Sequence, residues 1–317
     1  MKKLYLIRNP LLFQGECYLD SNRNYFEGWY FKNSNGVDNI SFIPGISINN
    51  KKKCAFIQVI TNNESFYFSY DIDCFSYNEN PFYIKIKDNY FSLDNIHIDI
   101  NDNKQDICIY GDIGYYDSIN INTSKYSPNI MGVFSYVPFM ECNHAIINMK
   151  NKINGELIIN DSVIDFDGGI GYIEKDYGRS FPKSYVWCQG NNFKNIDASF
   201  MLSIADIPFK LFSFRGIICS LMVDNVEYRF ATYNNSKIVR FCTDYNKLDI
   251  ILKKGKYYLY VKCNYKDGLK LVAPVNGDMN KDIIESITED IRVTLIKDKK
   301  VIFDGVSSNC GLEIVME

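Results

Sequence analysis

The sequence predicts an all-β protein built from antiparallel strands. Aromatic residues make up 15% of the chain, with 24 Tyr and 22 Phe, and aromatic or β-branched side chains favour strands over helices. Short apolar runs alternate with turn signals such as "NSNG", "NDNK" and "YNNS", a pattern typical of sandwiches and barrels. No long amphipathic helix is visible, and residues 280–291 ("NKDIIESITEDI") are the best candidate for one short helix.

Strand patterns follow one another along the whole chain. In the first half they are "NYFEGWYFK", "KCAFIQVIT", "SFYFSYDID", "FYIKIKDNYFSL", "IHIDI", "DICIYGDIGYY", "HAIINMK" and "GELIIND". In the second half they are "SYVWCQGNNF", "ASFMLSIADI", "FRGIICSLMV", "EYRFATYN", "KLDIILKKGKYYLYVKCNY", "LKLVAPV" and "DIRVTLIKDKKVIFDG". A chain of 317 residues with this many strands suits two β-domains better than one. Gly178 and Pro182 break the strand pattern, so we predict domains at 1–178 and 179–317.

Charge and hydropathy exclude several classes of function. The net charge is −3, so nothing indicates binding to nucleic acid or to an anionic membrane surface. The apolar stretch Leu4–Ile7 is too short for a signal peptide, and no apolar run approaches the roughly 20 residues of a spanning helix. We therefore expect a soluble, cytoplasmic and monomeric protein with at most peripheral membrane contact.

The cysteines and histidines predict neither a metal site nor a disulfide framework. Ten Cys are scattered along the chain without a C-x-x-C pair, and a chain with an ample core does not depend on disulfides. The two His, His97 and His144, do not make a metal site with scattered carboxylates. No GxGxxG, P-loop or GxSxG motif is present. We predict no metal and no cofactor.

Glu27 lies among aromatic rings in the first predicted strand. Side chains alternate between the two faces of a strand, which places Glu27 on one face with Tyr25, Trp29 and Phe31. A carboxylate there is costly to bury unless it is paired or protonated. Taken alone, this pattern favours a structural Glu at a barrel rim that is paired with a Lys; the alternative is a functional acid.

Two later segments mix charges and rings in the same way. In "GYIEKDYG", alternation places Tyr172, Glu174 and Asp176 on one face, and in "VPFMECNHAIINM" His144 shares a face with Cys142. The structural explanations are a satisfied core histidine and a domain interface with buried ion pairs. The functional explanation is a polar site within apolar surroundings.

The segment "VWCQGNNF" is the third of this kind. Trp187, Gln189 and Asn191 share one of its faces. Trp29 and Trp187 are the only two Trp of the chain, and both lie in polar-aromatic segments. The structural explanation for this segment is likewise a domain interface with buried ion pairs.

Four segments make the sequence resemble the tocopherol cyclase family. They are "NYFEGWYFK", "GVFSYVPFMECNHAIINM", "GELIINDSVIDFDGGIGYIEKDYGRSFPKSYVWCQGNNF" and "NCGLEIVM". The resemblance runs from about Tyr25 to the C-terminus and is strongest from Gly132 to Phe193, where "GGIGYIEKDYGRSFP" is a specific match. Tyr177 replaces the Trp of the family pattern "EKDWG". The resemblance implies two antiparallel lipocalin-like β-barrels packed together, similar in architecture to carotenoid hydratases.

The resemblance also implies a reaction. Family members close a chromanol ring on a prenylated hydroquinone, as a phenol oxygen adds across the nearest prenyl double bond. Protonation of an alkene needs an acid that stays neutral in an apolar site, and ring faces stabilise the resulting cation by about 0.5–2 kcal/mol each. We therefore expect a tocopherol cyclase-like intramolecular lyase, a kind of isomerase, that cyclises a prenylated hydroquinone or hydrates a related prenyl lipid.

Residue roles follow from this chemistry. The candidate acids are Glu27, Glu174 and Asp176, and the choice among them stays open. His144 is the candidate base. Arg179 is expected to steer the ionisation of a carboxylate or to bridge the domains. The expected substrate-binding residues are Tyr25, Trp29, Tyr172 and Trp187 along the pocket and Gln189 and Asn191 at the head group.

A non-catalytic carrier of a hydrophobic lipid is the alternative function. Lipocalin-like barrels often only bind, because a fold does not determine a function. A carrier would tolerate Glu27→Gln with little loss, whereas an enzyme that uses Glu27 as its acid would not. Both hypotheses predict a hydrophobic prenylated small molecule or lipid as the partner.

Overall fold

The computed structural model describes residues 2–21, 23–50, 52–138, 140–209 and 212–316. Strands account for about 68% of it and helices for about 7%, so the predicted all-β class is confirmed. The α-helices of this part of the chain are α1 (Lys2–Arg8) and α2 (Glu16–Leu19). Single 3₁₀ turns lie at Ile72–Cys74, Gly132–Tyr136 and Thr232–Asn234.

The strands of the first half form one antiparallel sheet. Their bounds are β1 Tyr25–Ser34, β2 Asn39–Asn49, β3 Lys52–Thr61, β4 Ser65–Asp71, β5 Phe75–Glu79, β6 Phe82–Ile86, β7 Asn89–Ser92, β8 Asn95–Asp102, β9 Ile107–Ile119, β10 Cys142–Ile159, β11 Ser162–Asp165 and β12 Gly169–Gly178. The pairing order is β4-β3-β2-β1-β12-β10-β9-β8-β7-β6-β5, and β11 pairs with β10. Strand β12, although late in sequence, therefore lies between β1 and β10.

The strands of the second half form another antiparallel sheet. Their bounds are β13 Tyr185–Gly190, β14 Asn192–Phe193, β15 Ala198–Phe209, β16 Phe212–Val223, β17 Val226–Ala231, β18 Lys237–Cys242, β19 Lys247–Lys254, β20 Tyr257–Asn264, β21 Leu269–Val275, β22 Asp278–Lys297 and β23 Lys300–Val315. The pairing order is β17-β16-β15-β13-β23-β22-β20-β19-β18, with β14 on β23 and β21 on β22. Neither path closes into a ring among the residues that the structure describes, so closed barrels stay a prediction.

The chain divides into two compact units. The first comprises residues 1–120, 142–181 and 271–282, and the second comprises residues 121–141, 182–270 and 283–317. The predicted domain boundary between residues 178 and 179 stays a prediction. No helix in the described ranges is long and apolar enough to cross a membrane.

Each unit has a core made by one face of its sheet. In the first unit the core contains mainly Ile and aromatic side chains, among them Trp29, Phe31 and Ile173. In the second it contains Val186, Phe200 and many further aliphatic side chains. Buried and less buried positions alternate in strands such as β9 and β19, where one face supplies the hydrophobic stabilisation, whereas nearly every position of β1 and β13 is buried.

The segment predicted as a short helix is a strand. Residues 280–291 belong to β22, where Ile283, Ile287 and Ile291 are buried. Their spacing of four residues fits a helix as well as a strand. The strand forms because buried and exposed positions alternate from Thr288 to Leu295 and because β22 pairs with both β20 and β23.

Candidate functional site

Strands β1, β12 and β10 lie side by side in the sheet of the first unit. In this register Trp29 is opposite Lys175, and His144 is opposite Asp176. Because alternate residues of β12 face opposite sides, Glu174 and Asp176 lie on one face of the sheet and Lys175 on the other. The segment "EKDYG" therefore supplies charges to two separate clusters.

The first cluster is a fully buried ion pair, here called the Lys175 pair. Nζ of Lys175 lies 2.5 Å from Oε1 of Glu27, and neither side chain is exposed to solvent. Tyr25 donates its hydroxyl hydrogen to Oε2 of Glu27 over 2.6 Å. The backbone N–H of Gln14 donates to both carboxylate oxygens, over 2.9 and 3.1 Å. Buried charges persist when they are paired and hydrogen-bonded in this way.

Lys175 also holds the segment that precedes β1. Its ammonium donates to the carbonyl oxygens of Pro10 and Leu12 over 2.9 and 2.5 Å. It lies 4.5 Å from the ring centre of Trp29 and 5.2 Å from that of Tyr177. Burial lowers the pKa of Lys175 to about 8, against the opposing effect of the Glu27 carboxylate.

The second cluster lies on the opposite face and is called the His144 cluster, comprising His144, Glu174, Asp176 and Tyr172. Nδ1 of His144 lies 2.9 Å from Oδ1 of Asp176, and its Nε2 lies 3.4 Å from Oε2 of Glu174. The imidazole is therefore clamped between two carboxylates. Tyr172 donates its hydroxyl hydrogen to Oε2 of Glu174 over 2.5 Å. The side chain of Glu174 is 6% exposed and that of Asp176 is 22% exposed.

The two carboxylates determine where the protons of this cluster reside. Burial lowers the pKa of His144, but Asp176 and Glu174 raise it more, so that the pKa lies well above its usual range. Burial raises the pKa of Tyr172, and the nearby Glu174 carboxylate raises it further. At neutral pH His144 is therefore an imidazolium and Tyr172 an intact phenol.

The His144 cluster has residues that could hold a metal ion and an arrangement that also fits a shared proton. One ligand atom from each of His144, Glu174 and Asp176 lies within 4.8 Å of the others. However, the two ring nitrogens face different carboxylates, and their lone pairs point in different directions. An imidazolium fits this arrangement, because Nδ1 hydrogen-bonds Asp176 over 2.9 Å and Nε2 lies 3.4 Å from Glu174. The predicted absence of a metal stays a prediction.

The structure brings together some of the predicted site residues and separates others. The candidate acids Glu174 and Asp176 contact the candidate base His144, and Tyr172 contacts Glu174. Glu27 is on the opposite face, as are Tyr25 and Trp29. Arg179 lies beyond the end of β12 and is exposed, and the roles predicted for it stay predictions.

Three further predicted residues belong to the second unit. Trp187 and Gln189 lie in β13, and Asn191 follows that strand. All three side chains are almost completely buried. The Trp187 ring lies against Gly311, where an added Cβ would come within 2.6 Å of it. A role for these residues in one site with the His144 cluster stays a prediction.

Sequence reasoning missed the role of Lys175 and of residues 10–14. A signal for Lys175 was present, because a buried Glu27 requires a cation and Lys175 shares its strand face with Ile173 and Tyr177. No comparable signal marks residues 10–14. They contribute backbone carbonyl oxygens, which every residue carries, and one backbone N–H, which every residue except proline carries.

Comparison with known proteins agrees with this architecture. The family model described as tocopherol cyclase-like matches residues 107–315. A crystal structure of CghA with Sch210972 is similar, with a TM-score of 0.59 and 8% identity over 93% of this chain and 89% of that chain.

The second similar structure is a putative AttH from Nitrosomonas europaea. It has a TM-score of 0.52 and 10% identity over 96% of this chain and 97% of that chain. No curated protein matches the sequence. The structural similarities show the fold, and the matched family model covers most of the chain. The chain belongs to the tocopherol cyclase-like family.

Proposed function

We propose that this protein catalyses acid-promoted addition across a prenyl double bond, with the His144 cluster as the proton-transfer site. The reaction is cyclisation of a prenylated hydroquinone, or hydration of a related prenyl lipid. The observation that carries the proposal is the clamping of His144 between the buried Glu174 and the partly buried Asp176. Membership of the tocopherol cyclase-like family supports the reaction class.

The cluster can supply a proton to an alkene by an internal transfer. In the resting state His144 carries the proton, and Glu174 is a carboxylate. An apolar prenyl chain that covers the cluster removes water, which disfavours charged forms relative to neutral ones. The proton on Nε2 of His144 then moves to Oε2 of Glu174, 3.4 Å away. This transfer yields a neutral carboxylic acid and a neutral imidazole side by side.

The proton balance closes over one turnover. Glu174 gives its proton to the less substituted alkene carbon, and a tertiary cation forms at the other carbon. The phenol oxygen adds to this cation and forms the new C–O bond, or water adds instead in a hydration. The neutral His144 takes the proton released by the phenol or the water. His144 is then protonated and Glu174 ionised, as at the start.

Asp176 and Tyr172 have supporting roles in this scheme. Asp176 accepts a hydrogen bond from Nδ1 of His144 over 2.9 Å, which orients the ring so that Nε2 faces Glu174. Tyr172 donates to Glu174 over 2.5 Å and stabilises the carboxylate that remains after the alkene is protonated. Glu27 has no part in the transfer, because it is paired with Lys175 on the opposite face.

The proposal is tested by turnover of prenylated hydroquinones with Glu174→Gln and His144→Gln. A positioned acid or base contributes roughly 10²–10⁴-fold, so each variant should lose at least about 100-fold in kcat. His97→Gln is the matched control, since His97 also pairs with a carboxylate, Asp112, in the same sheet but is 31% exposed. Full activity of Glu174→Gln would remove Glu174 as the acid. A wild-type protein that binds such lipids without converting them would be a carrier.

A further inference from the structure

Lys175 lies between Glu174 and Asp176 in sequence, but its side chain is buried on the opposite face of β12 from these two carboxylates. It pairs with Glu27 at 2.5 Å and donates to the carbonyl oxygens of Pro10, Leu11 and Leu12 over 2.9, 3.4 and 2.5 Å. Burying a charge this completely is costly unless several partners compensate for it. The cost indicates that the contacts of Lys175 have a purpose beyond filling the core.

The contacts of Lys175 attach an earlier part of the chain, which precedes β1, to β12. Besides the three carbonyl contacts, Trp29 donates from Nε1 to the Leu11 carbonyl over 2.9 Å, and the Gln14 N–H donates to Glu27. The Phe13 ring packs 6.4 Å from that of Trp29. Residues 10–14, here called the N-terminal segment, are thus docked on the face of β12 that is opposite the His144 cluster.

Where β12 pairs with β10, the regular part of the ladder beside the cluster is short. Regular pairing extends from Cys142 opposite Gly178 to Ile146 opposite Glu174, and the register shifts immediately after Ile146. His144, Glu174 and Asp176 lie within these pairs, and Tyr172 lies beyond the register shift. Bulges bend a strand and disrupt the ladder locally, so on the β10 side the regular pairing of β12 ends close to the cluster, whereas the ladder between β12 and β1 runs from Phe26 to Ser34 without a register shift.

Lys175 adds side-chain contacts to the backbone pairing of β12 at the same point. Successive side chains of a strand leave the backbone in opposite directions, so fixing the Lys175 side chain also fixes the direction in which Glu174 and Asp176 project. The ion pair joins β12 to β1, and the carbonyl contacts join it to the N-terminal segment. Both sets of contacts are made by Lys175, which lies in the strand between Glu174 and Asp176, the two residues that clamp His144.

We propose that Lys175 is a positioning residue for the His144 cluster: with Glu27 it docks the N-terminal segment and holds β12 where Glu174 and Asp176 clamp the imidazole. The importance of this for catalysis rests on the proposed function. The geometric claim itself does not, and its test reads the proton on His144 rather than turnover, so the two can fail separately.

The chain is suited to this test because it contains only His97 and His144. In protein with isotopically labelled histidine, NMR titration gives one curve for each. The titratable groups in contact with His144 are Glu174 and Asp176. Tyr172 donates a hydrogen bond to Glu174, and Cys142 donates one to Asp176. His97 pairs with Asp112 on β9 and serves as an internal reference.

The sign of the change separates positioning from simple electrostatics. Removing the Lys175 charge by Lys175→Met takes a cation away from His144, which by itself raises the pKa of His144. Loosening the carboxylate clamp lowers that pKa toward the roughly 6.5 of a free imidazole. The proposal expects the pKa of His144 to fall in this variant while the pKa of His97 is unchanged.

A second variant guards against misfolding and against a residual charge effect. Glu27→Gln combined with Lys175→Met removes both charges, so the net charge is unchanged and no unpaired ion is left buried. Methionine cannot donate to the carbonyls of the N-terminal segment. The pKa of His144 should again fall, and amide hydrogen exchange over residues 11–14 should become faster by at least about tenfold, since an undocked segment exchanges like a mobile loop.

Any of three results would overturn the proposal. If the pKa of His144 rises or stays the same in both variants, Lys175 does not position the cluster. If hydrogen exchange accelerates while the pKa of His144 is unchanged, the Lys175 pair only docks the N-terminal segment, and its purpose is structural. Loss of the His144 shift in Lys175→Met alone, with a normal pKa in the double variant, would show that an unpaired Glu27 causes the effect.

Discussion

Glu174 and Lys175 are neighbours in the chain, but their charges lie on opposite faces of β12. Oε2 of Glu174 is 3.4 Å from Nε2 of His144, whereas Nζ of Lys175 is 2.5 Å from Oε1 of Glu27. The motif "EKD" therefore combines two kinds of chemistry in three residues. Its carboxylates hold a proton on His144, and its ammonium holds the strand in place.

Breaking the Lys175 pair should destabilise the protein strongly. Glu27→Gln leaves a fully buried ammonium without its carboxylate, at a cost of about 3–5 kcal/mol in the free energy of unfolding. Replacing Glu27 by Leu and Lys175 by Met in the same protein should lower the free energy of unfolding much less, because no charge stays buried. Urea unfolding measures both. Asp117→Asn is the control, since the pair of Asp117 with Lys152 is exposed, and it should change stability little.

Stability should rise with pH in the alkaline range because of Lys175. Its pKa is about 8 in the folded protein and about 10.4 in the unfolded chain. Between these values the unfolded chain binds more protons, so the free energy of unfolding increases with pH. Unfolding at pH 8 and pH 10, compared with the doubly substituted Glu27→Gln/Lys175→Met protein, isolates this contribution. An equal pH response in both proteins would contradict the assignment.

His144 should give the opposite dependence over a different pH range. Its pKa is raised in the folded protein, so its stabilising contribution is complete below the unfolded value of about 6.5. That contribution is lost as the pH rises through the folded pKa. The difference in unfolding free energy between wild type and His144→Gln should therefore be largest near pH 6 and shrink on the alkaline side. A constant difference would show that the carboxylates do not retain the proton.

Tyr172→Phe should impair catalysis without disturbing the fold. The substitution removes the hydroxyl that donates to Glu174 over 2.5 Å and keeps the buried ring. Hydrogen bonds to charged groups are worth roughly 1.5–3 kcal/mol, so kcat should fall by at least about tenfold. Steady-state kinetics with a prenylated hydroquinone, together with a melting curve, measures both effects. A changed KM with an unchanged kcat would assign Tyr172 to binding alone.

Local sequence patterns predicted which side chains share a face of a strand but not which strands pair with one another. Alternation correctly placed Tyr172, Glu174 and Asp176 on one face of a strand and Lys175 on the other. The position of β12 beside β1 depends on pairing between two segments that are far apart in the chain, Tyr25–Ser34 and Gly169–Gly178, which no local period encodes. For this reason the sequence left open whether Glu27 is an acid or the partner of a Lys, and it did not identify Lys175 as that partner.

The helices and the N-terminal segment were the least predictable parts. Helices α1 and α2 are short and bury no residues, so they leave no hydrophobic period to recognise. The N-terminal segment docks through backbone groups, which are the same in every sequence. Conversely, residues 280–291 satisfied a helical spacing, and only pairing on both sides makes them a strand.

The most direct test of the central claim is turnover of a prenylated hydroquinone in heavy water, followed by mass spectrometry of the product. The proton that Glu174 delivers exchanges with solvent beforehand, so each cyclised or hydrated molecule should gain one carbon-bound deuterium. Wild type and His97→Gln should form this labelled product, and Glu174→Gln and His144→Gln should form almost none. Labelled product from Glu174→Gln at the wild-type rate would contradict the account.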